Sequence, residues 1–258
     1  MIFQRSYVDR YVDIVLALTQ KELRVRYKNY ALGYVWSLAQ PLAFAGVLYF
    51  AFKLVLHVPV ENFVFFLLAG LFPWQWFANS ISLSPMFFLN NASIIKKVAF
   101  PRHAVVVSCV LQDAIQFLFS IPIIGVVAFV FGKPPTPIWL VGVPLILALQ
   151  MSFMVGAGLI LGSINMFFRD LERLTALFMM LLFYFTPIAY SEAQIPVRFH
   201  RFLFLNPAVS FTVAWRQLFM ENRLNFTAVG WMVLHTGVVL TIGTIIYRRL
   251  SPRFAEAI

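Results

Sequence analysis

Long apolar runs, separated by short basic segments, dominate this sequence. The stretches 63–95 and 134–168 contain no charged residue, and the stretch 104–131 contains only Asp113. A helix needs about 20 mostly apolar residues to cross the hydrocarbon core of a bilayer. Since a soluble domain could not bury so much apolar surface, the chain is predicted to be an integral membrane protein.

The composition supports this prediction. The 258 residues are 61% hydrophobic and only 12% charged, about half the charge of a typical soluble domain. The net charge of +10 comes from basic residues that flank the apolar runs, so it indicates membrane topology rather than nucleic-acid binding. Cys109 is the single cysteine and cannot form a disulfide within the chain.

Six membrane spans are predicted from the apolar runs, within one membrane domain: Gly33–Leu54, Phe63–Leu83, Ala104–Phe131, Ile138–Phe167, Leu174–Tyr190 and Ala228–Tyr247. With these spans, 14 of the 20 Lys and Arg residues fall on one side of the membrane. Basic residues are enriched on the cytoplasmic side. Both termini are therefore expected in the cytoplasm.

Two segments outside the spans are amphipathic. In Tyr7–Lys28, apolar residues follow one helical face and charged residues the opposite face. This predicts a helix in the cytoplasmic interface, as either a membrane anchor or a docking element for a partner. The outer segment Ser191–Asn225 contains apolar stretches too short to cross. It suits either two re-entrant half-helices broken near Asn206–Pro207 or an ordinary surface loop.

The sequence carries no recognisable catalytic chemistry. The Gly132–Lys133 pair lacks the glycine spacing of a phosphate-binding loop. The four histidines are scattered without metal-ligand spacing. The sequence also shows no evident pair of a nucleophile and a general base. The carboxylate within a span, Asp113, suggests either a proton relay or a structural ion pair, and the ion pair is favoured because no second such group accompanies it.

Several motifs resemble the polysaccharide-exporting ABC-2 permeases, the membrane subunits of ABC transporters for O antigen, capsular polysaccharide and teichoic acid. The motifs follow in order along nearly the whole chain: TQKELRVRYKNYALGYVWSLAQPL (19–42), FFLLAGLFPWQWFANSIS (65–82), NNASIIKKVAFPRHAVVVS (90–108), FFRDLERL (167–174), FYFTPIAYS (183–191) and LNPAVSFTVAWRQLF (205–219). The resemblance implies an all-α membrane protein of the ABC-2, or type V exporter, fold with six transmembrane helices. It also implies a homodimer above two copies of a separate ATPase subunit. That partner would bind ATP and Mg²⁺, and this chain would need no cofactor, no metal and no catalytic residue.

The resemblance also implies site residues. Residues 1–30 would be the cytoplasmic interface helix, with partner contacts at Lys21, Glu22, Arg24, Arg26 and Tyr27. Residues 31–258 would be the membrane domain, with outer gate helices at 191–225 and an ATPase-coupling segment at 89–101. The coupling residues are Asn90, Ile94, Ile95, Lys96, Lys97, Phe100, Pro101 and Arg102.

Aromatic residues of the first and fifth spans are either interface-belt and packing residues or the lining of a sugar channel. Aromatic faces suit the C–H faces of sugars, and the resemblance places these spans at the channel. The predicted lining residues are Tyr34, Trp36, Phe44, Tyr49, Phe183, Tyr184 and Tyr190.

The predicted function is export of a lipid-linked polysaccharide, with O antigen favoured, across a bacterial inner membrane. Two alternatives remain at this point. One is a proton-coupled secondary transporter that uses Asp113, and the other is an ABC-2 exporter of drugs or small lipids.

Overall fold

The computed structural model describes residues 7–27 and 35–254, without the side chains of Tyr27, Val35, Trp36, Ser37 and Arg201. Every regular element in these residues is helical. Helix α1, Tyr7–Tyr27, is the predicted interface helix. It packs along α6 rather than standing apart from the membrane helices.

The membrane helices follow α1 in chain order. Helix α2 (Val35–Leu48) continues as a π-helix over Tyr49–Val55, and α3 spans Phe63–Leu83. A 3₁₀ turn, Ser84–Met86, leads into the short helices α4 (Phe87–Asn90) and α5 (Ala92–Lys97). The next helices are α6 (His103–Leu118), α7 (Ser120–Val130), α8 (Ile138–Asn165) and α9 (Leu171–Tyr184).

The remaining elements form the outer loop and the end of the chain. A 3₁₀ turn at Glu192–Gln194 precedes α10 (Val197–Leu203) and α11 (Pro207–Glu221). Helix α12 (Phe226–Leu250) ends in a 3₁₀ turn, Ser251–Arg253. The two outer helices are separated at 204–206, so the break predicted near Asn206–Pro207 is confirmed.

Five helical stretches of the described residues are long and apolar enough to cross a membrane: Leu38–Val55, Phe63–Lys97, His103–Val130, Ile138–Asn165 and Phe226–Arg253. They correspond to five of the six predicted spans. The boundaries predicted for the fifth span, Leu174–Tyr190, are wrong. Its helix α9 has 14 residues and is about 21 Å long. Thr186 is followed by Pro187, and a residue before proline is disfavoured in the α conformation.

Glycines bring α8 and α12 into backbone contact. A Cβ added at Gly156 would lie 2.7 Å from Leu240 Cα, and one added at Gly243 would collide with the carbonyl oxygen of Gly156. Small residues at helix crossings allow this close approach in membranes, where van der Waals packing replaces the hydrophobic effect as the attraction between helices.

Gly243→Ala should therefore destabilise the fold, because neither backbone can move aside cheaply. We expect a loss of about 1–3 kcal/mol, typical of overpacking, measured by unfolding of the purified chain in detergent. The control is Gly237→Ala on the same helix, where an added Cβ meets nothing within 4 Å. Equal stability of the two variants would show that the α8–α12 crossing is not a tight contact.

Candidate functional site

An ion pair fastens α1 to the membrane helices. Arg26 Nη1 donates a hydrogen bond to Asp113 Oδ1 at 2.6 Å, and Ser80 Oγ donates to Asp113 Oδ2 at 2.7 Å. Asp113 is only 4% exposed, so these donors replace the water that its charge would otherwise require. The structure thus shows the ion pair that the sequence favoured, and both carboxylate oxygens are engaged.

A second polar contact joins α1 to the predicted coupling segment. Lys21 Nζ donates to Glu22 Oε1 at 2.7 Å and to Asn91 Oδ1 at 2.8 Å. Asn91 is buried and donates through Nδ2 to the Phe87 carbonyl. Three of the predicted interface residues, Lys21, Glu22 and Arg26, are therefore engaged within the chain. Arg24 is exposed, and the side chain of Tyr27 lies outside the described residues.

The coupling segment presents one face to the protein and another to solvent. Ile95 is buried, whereas Ile94 and Phe100 are half-buried. The solvent face is made of Lys96, Lys97 and Val98, and Val98 is 56% exposed. Asn90, Pro101 and Arg102 are partly buried or exposed at its edges, and Arg102 Nη1 donates to the Ser251 carbonyl at 2.6 Å.

An aromatic cluster lies behind this segment. Phe254 is fully buried, and its ring centroid lies 4.9 Å from Phe88 and 6.2 Å from Tyr247. Tyr247 meets His103 edge-on at 6.0 Å, and His103 stacks on Tyr11 of α1 at 5.4 Å. The cluster connects α1, α4, α6 and the end of α12. The apolar pattern of the sequence did not reveal it, because its members come from four separate segments.

The predicted channel residues do not form one continuous lining. Phe183 packs on Phe44, with ring centroids 5.7 Å apart, and on Trp74 at 5.8 Å. Tyr49 packs on Phe63 at 6.1 Å. Tyr184, by contrast, is 68% exposed, and its carbonyl accepts a hydrogen bond from the Tyr190 hydroxyl at 2.9 Å. Tyr34 and the side chain of Trp36 lie outside the described residues.

Helix α11 is buried on most of its surface and carries polar side chains that sequence analysis did not single out. Trp215 Nε1 donates to Gln150 Oε1 at 2.7 Å, and Gln150 Nε2 donates to the Pro73 carbonyl at 3.1 Å. One glutamine therefore joins α3, α8 and α11. A glutamine within the uncharged run 134–168 was the available sequence signal for this contact.

The Arg216 side chain of α11 is also enclosed. It is 5% exposed, its guanidinium lies 3.7 Å from the centroid of the Phe66 ring, and its Nη2 donates to the Ile188 carbonyl at 3.0 Å. A Cβ at Gly70 would come within 2.6 Å of that nitrogen, so a larger residue there would require the guanidinium to shift. Burial raises the pKa of the nearby Glu192 carboxyl, and the charge of Arg216 opposes this shift. These contacts fix the outer loop onto α3.

These features describe a polytopic membrane protein with an amphipathic helix attached to its membrane helices and a packed loop between α9 and α12. Its described part has no group of three or more His, Cys, Asp or Glu side chains able to hold a metal. A family model of the ABC-2 type transporter matches residues 14–220, and the chain belongs to this family.

Individual relatives are similar over nearly the whole chain. An O-antigen export system permease protein RfbA of Klebsiella pneumoniae is 45% identical over 245 residues, 95% of this chain and 94% of the relative. The protein of the same name from Myxococcus xanthus is 30% identical, covering 96% of both chains. The polysialic acid transport protein KpsM of Escherichia coli is 23% identical over 91% of this chain and 92% of its own length.

Asp113→Leu should destabilise the protein, because it leaves Arg26 without its partner. Breaking a buried pair costs about 3–5 kcal/mol, and we expect the lower end since the Arg26 side chain is 32% exposed. Asp113→Asn should cost less, as the amide oxygen can still accept from Ser80. Unfolding of the purified chain in denaturant measures both, and the double variant Arg26→Met with Asp113→Leu should recover part of the loss. No recovery would mean that the two side chains are not coupled.

Proposed function

We propose that this chain is the membrane-channel subunit of an ABC transporter that exports a lipid-linked polysaccharide, with O antigen favoured, across the bacterial inner membrane. The observation that carries the proposal is the 45% identity to an O-antigen export permease over 95% of the chain. Such identity, without large insertions or deletions, favours a glycan over a drug or small lipid. Membership of an ABC family favours ATP as the energy source over a proton gradient through Asp113.

A strain that depends on this gene tests the proposal directly. Deleting the gene should remove polysaccharide from the cell surface, with lipid-linked polysaccharide accumulating inside. Complementation should need both this chain and an ATPase partner competent in hydrolysis. Normal surface display in the deletion strain would refute the proposal.

The proposed assembly is a homodimer with two ATPase subunits, which bind ATP and Mg²⁺ and perform the only covalent chemistry. The described part of α9 supports the dimer, because Leu177, Phe178 and Leu181 expose apolar side chains along a helix that touches α3 and α8 on one side. We propose that α9 and the buried segment after it complete a sixth span at the interface. Helices α10 and α11 would be the re-entrant outer gate.

The proposed orientation has both termini in the cytoplasm. Contacts bring α1, α4, α6 and the end of α12 together at one end of the bundle. Lys96 and Lys97 lie in α5, which follows α4 directly, and Arg248 and Arg249 lie in the last turn of α12. Their excess on one side supports a cytoplasmic location for that end.

We propose that force from the ATPase enters through the exposed face of the coupling segment. Lys21 ties that segment to α1 through Asn91. Phe254 packs on Phe88, the residue immediately before the segment. A push on residues 96–98 would therefore move α1, α4 and α12 together. Ile95, which faces inward, would support the segment rather than touch the partner.

Val98→Asp is expected to reduce co-purification of the ATPase at least about fivefold, because a charge replaces an apolar contact of roughly 1 kcal/mol or more. The matched control is Val197→Asp, the same change at an exposed position of the outer loop. It should leave ATPase binding unchanged. If Val98→Asp binds the ATPase normally, or if Val197→Asp is the variant that fails, the proposed docking face or orientation is wrong.

Tyr184 is the most exposed of the described residues that were predicted to line the channel. Aromatic contacts of about 1 kcal/mol are weak enough to permit sliding. Tyr184→Ala should lower surface polysaccharide several-fold while assembly and basal ATP hydrolysis persist, and Tyr184→Phe should retain display. The control Phe226→Ala removes a ring that is even more exposed, at the start of α12, and should have no effect. Normal surface polysaccharide with Tyr184→Ala would show that Tyr184 does not contact the sugar chain and faces lipid instead.

A further inference from the structure

Three uncharged amide side chains lie at membrane depth without a hydrogen-bond partner in the part of the chain that the structure describes. Gln75 and Asn79 stand one turn apart on α3, about 18 and 24 Å along the helix from Phe63, and Gln116 lies on the adjacent helix α6, about 20 Å from His103. Asn79 is exposed, and the other two are half-buried. Among the described residues, none of the three side chains makes a hydrogen bond.

The three amides line a small cavity together with the indole N–H of Trp76. The cavity has a volume of about 40 Å³ and lies between α2, α3 and α6, with Leu38 and Pro41 on the α2 side. That volume has room for a few water molecules. Trp76 also lines it, is only 4% exposed, and has an indole N–H with no partner among the described residues. Its ring is held by stacking on Phe117 at 4.9 Å.

Hydrocarbon cannot be the neighbour of this polar face. An amide moved from water to an apolar medium without a hydrogen bond costs roughly 2–7 kcal/mol, and three such groups on one face multiply that cost. Polar side chains inside a membrane protein accordingly face a partner or a water-filled path. Leu38 and Pro41 of α2 line one side of the cavity, and Asn79 is exposed.

We propose that Gln75, Asn79 and Gln116 form a hydrogen-bonding subsite for sugar hydroxyls on the wall of the transport path. The inference rests on the proposed function. Amides both donate and accept hydrogen bonds, as hydroxyls do, so they match a glycan in any rotation of the chain. They carry no charge that would trap it. The Trp76 N–H and the cavity provide ordered water behind the amides.

Thiol accessibility tests the environment of the face independently of transport. In a Cys109→Ala background, Asn79→Cys and Gln116→Cys should react in membranes with methanethiosulfonate ethylammonium, a charged reagent that requires water. The control Leu118→Cys lies two residues further along α6 on an exposed apolar surface and should stay unmodified. Absence of reaction at both test positions would overturn the proposal.

Protection by the glycan distinguishes sugar from water alone. The same variants are compared in cells that make the strain's own lipid-linked polysaccharide and in cells in which its synthesis is blocked. Modification should be several-fold slower when the polysaccharide is present. Equal rates in the two strains would show a hydrated face that sugar does not contact, and would reject the subsite.

Matched polar and apolar substitutions test the effect of the amides on surface display of polysaccharide. Asn79→Leu and Gln116→Leu should each lower surface display about fivefold, the value of one hydrogen bond, with the dimer and ATPase still assembled. Asn79→Ser and Gln116→Asn should retain most display. Wild-type display in the leucine variants would overturn the proposed subsite. Loss of the dimer in these variants would also overturn it, because the amides would then be contacts between two copies of the chain. Normal display after gene deletion would instead refute the proposed function itself.

Discussion

The attraction between helices in hydrocarbon comes from close packing and internal hydrogen bonds, because lipid tails are as apolar as the side chains that face them. This constraint explains the strongest contacts of the fold. Gly156 and Gly243 let α8 and α12 approach to backbone contact. Gln150, wholly buried, ties together α3, α8 and α11. Neither contact contributes a large apolar area, yet each fixes the relative position of whole helices.

At the end of the bundle that carries α1, polar and aromatic contacts serve a different purpose. Two polar contacts fasten the amphipathic helix α1 to the bundle at two points along its length. They are the ion pair of Arg26 with Asp113 and the hydrogen bond from Lys21 to Asn91. The stacking of Tyr11 on His103 adds a third attachment. In the proposed assembly, these three attachments would make α1 move with the membrane helices when the ATPase pushes on it.

Sequence periodicity predicted most of the fold because membrane spans are continuous apolar runs. It placed both ends of α3 correctly and found α1 and the break before Pro207. It extended the fifth span too far, since the apolar run continues past Pro187 although the backbone cannot stay helical there. The family resemblance suggested Lys21, Glu22 and Arg26 as partner contacts, and the structure shows that all three also form polar contacts within the chain. Amphipathicity defines two faces, but it does not say that the charged face has partners inside the same chain.

The residues of the proposed transport path were also difficult to identify from the sequence alone. Aromatic residues attract attention in a sequence, and the structure shows that Phe44 and Phe183 pack on one another within the chain. Gln75, Asn79 and Gln116 are inconspicuous in apolar runs, and only the fold brings them together beside Trp76. A path for a long hydrated chain needs many weak contacts and no strong one. Exposed rings such as Tyr184 and uncharged amides meet that requirement together, because one contacts the apolar faces of a sugar and the other its hydroxyl edge.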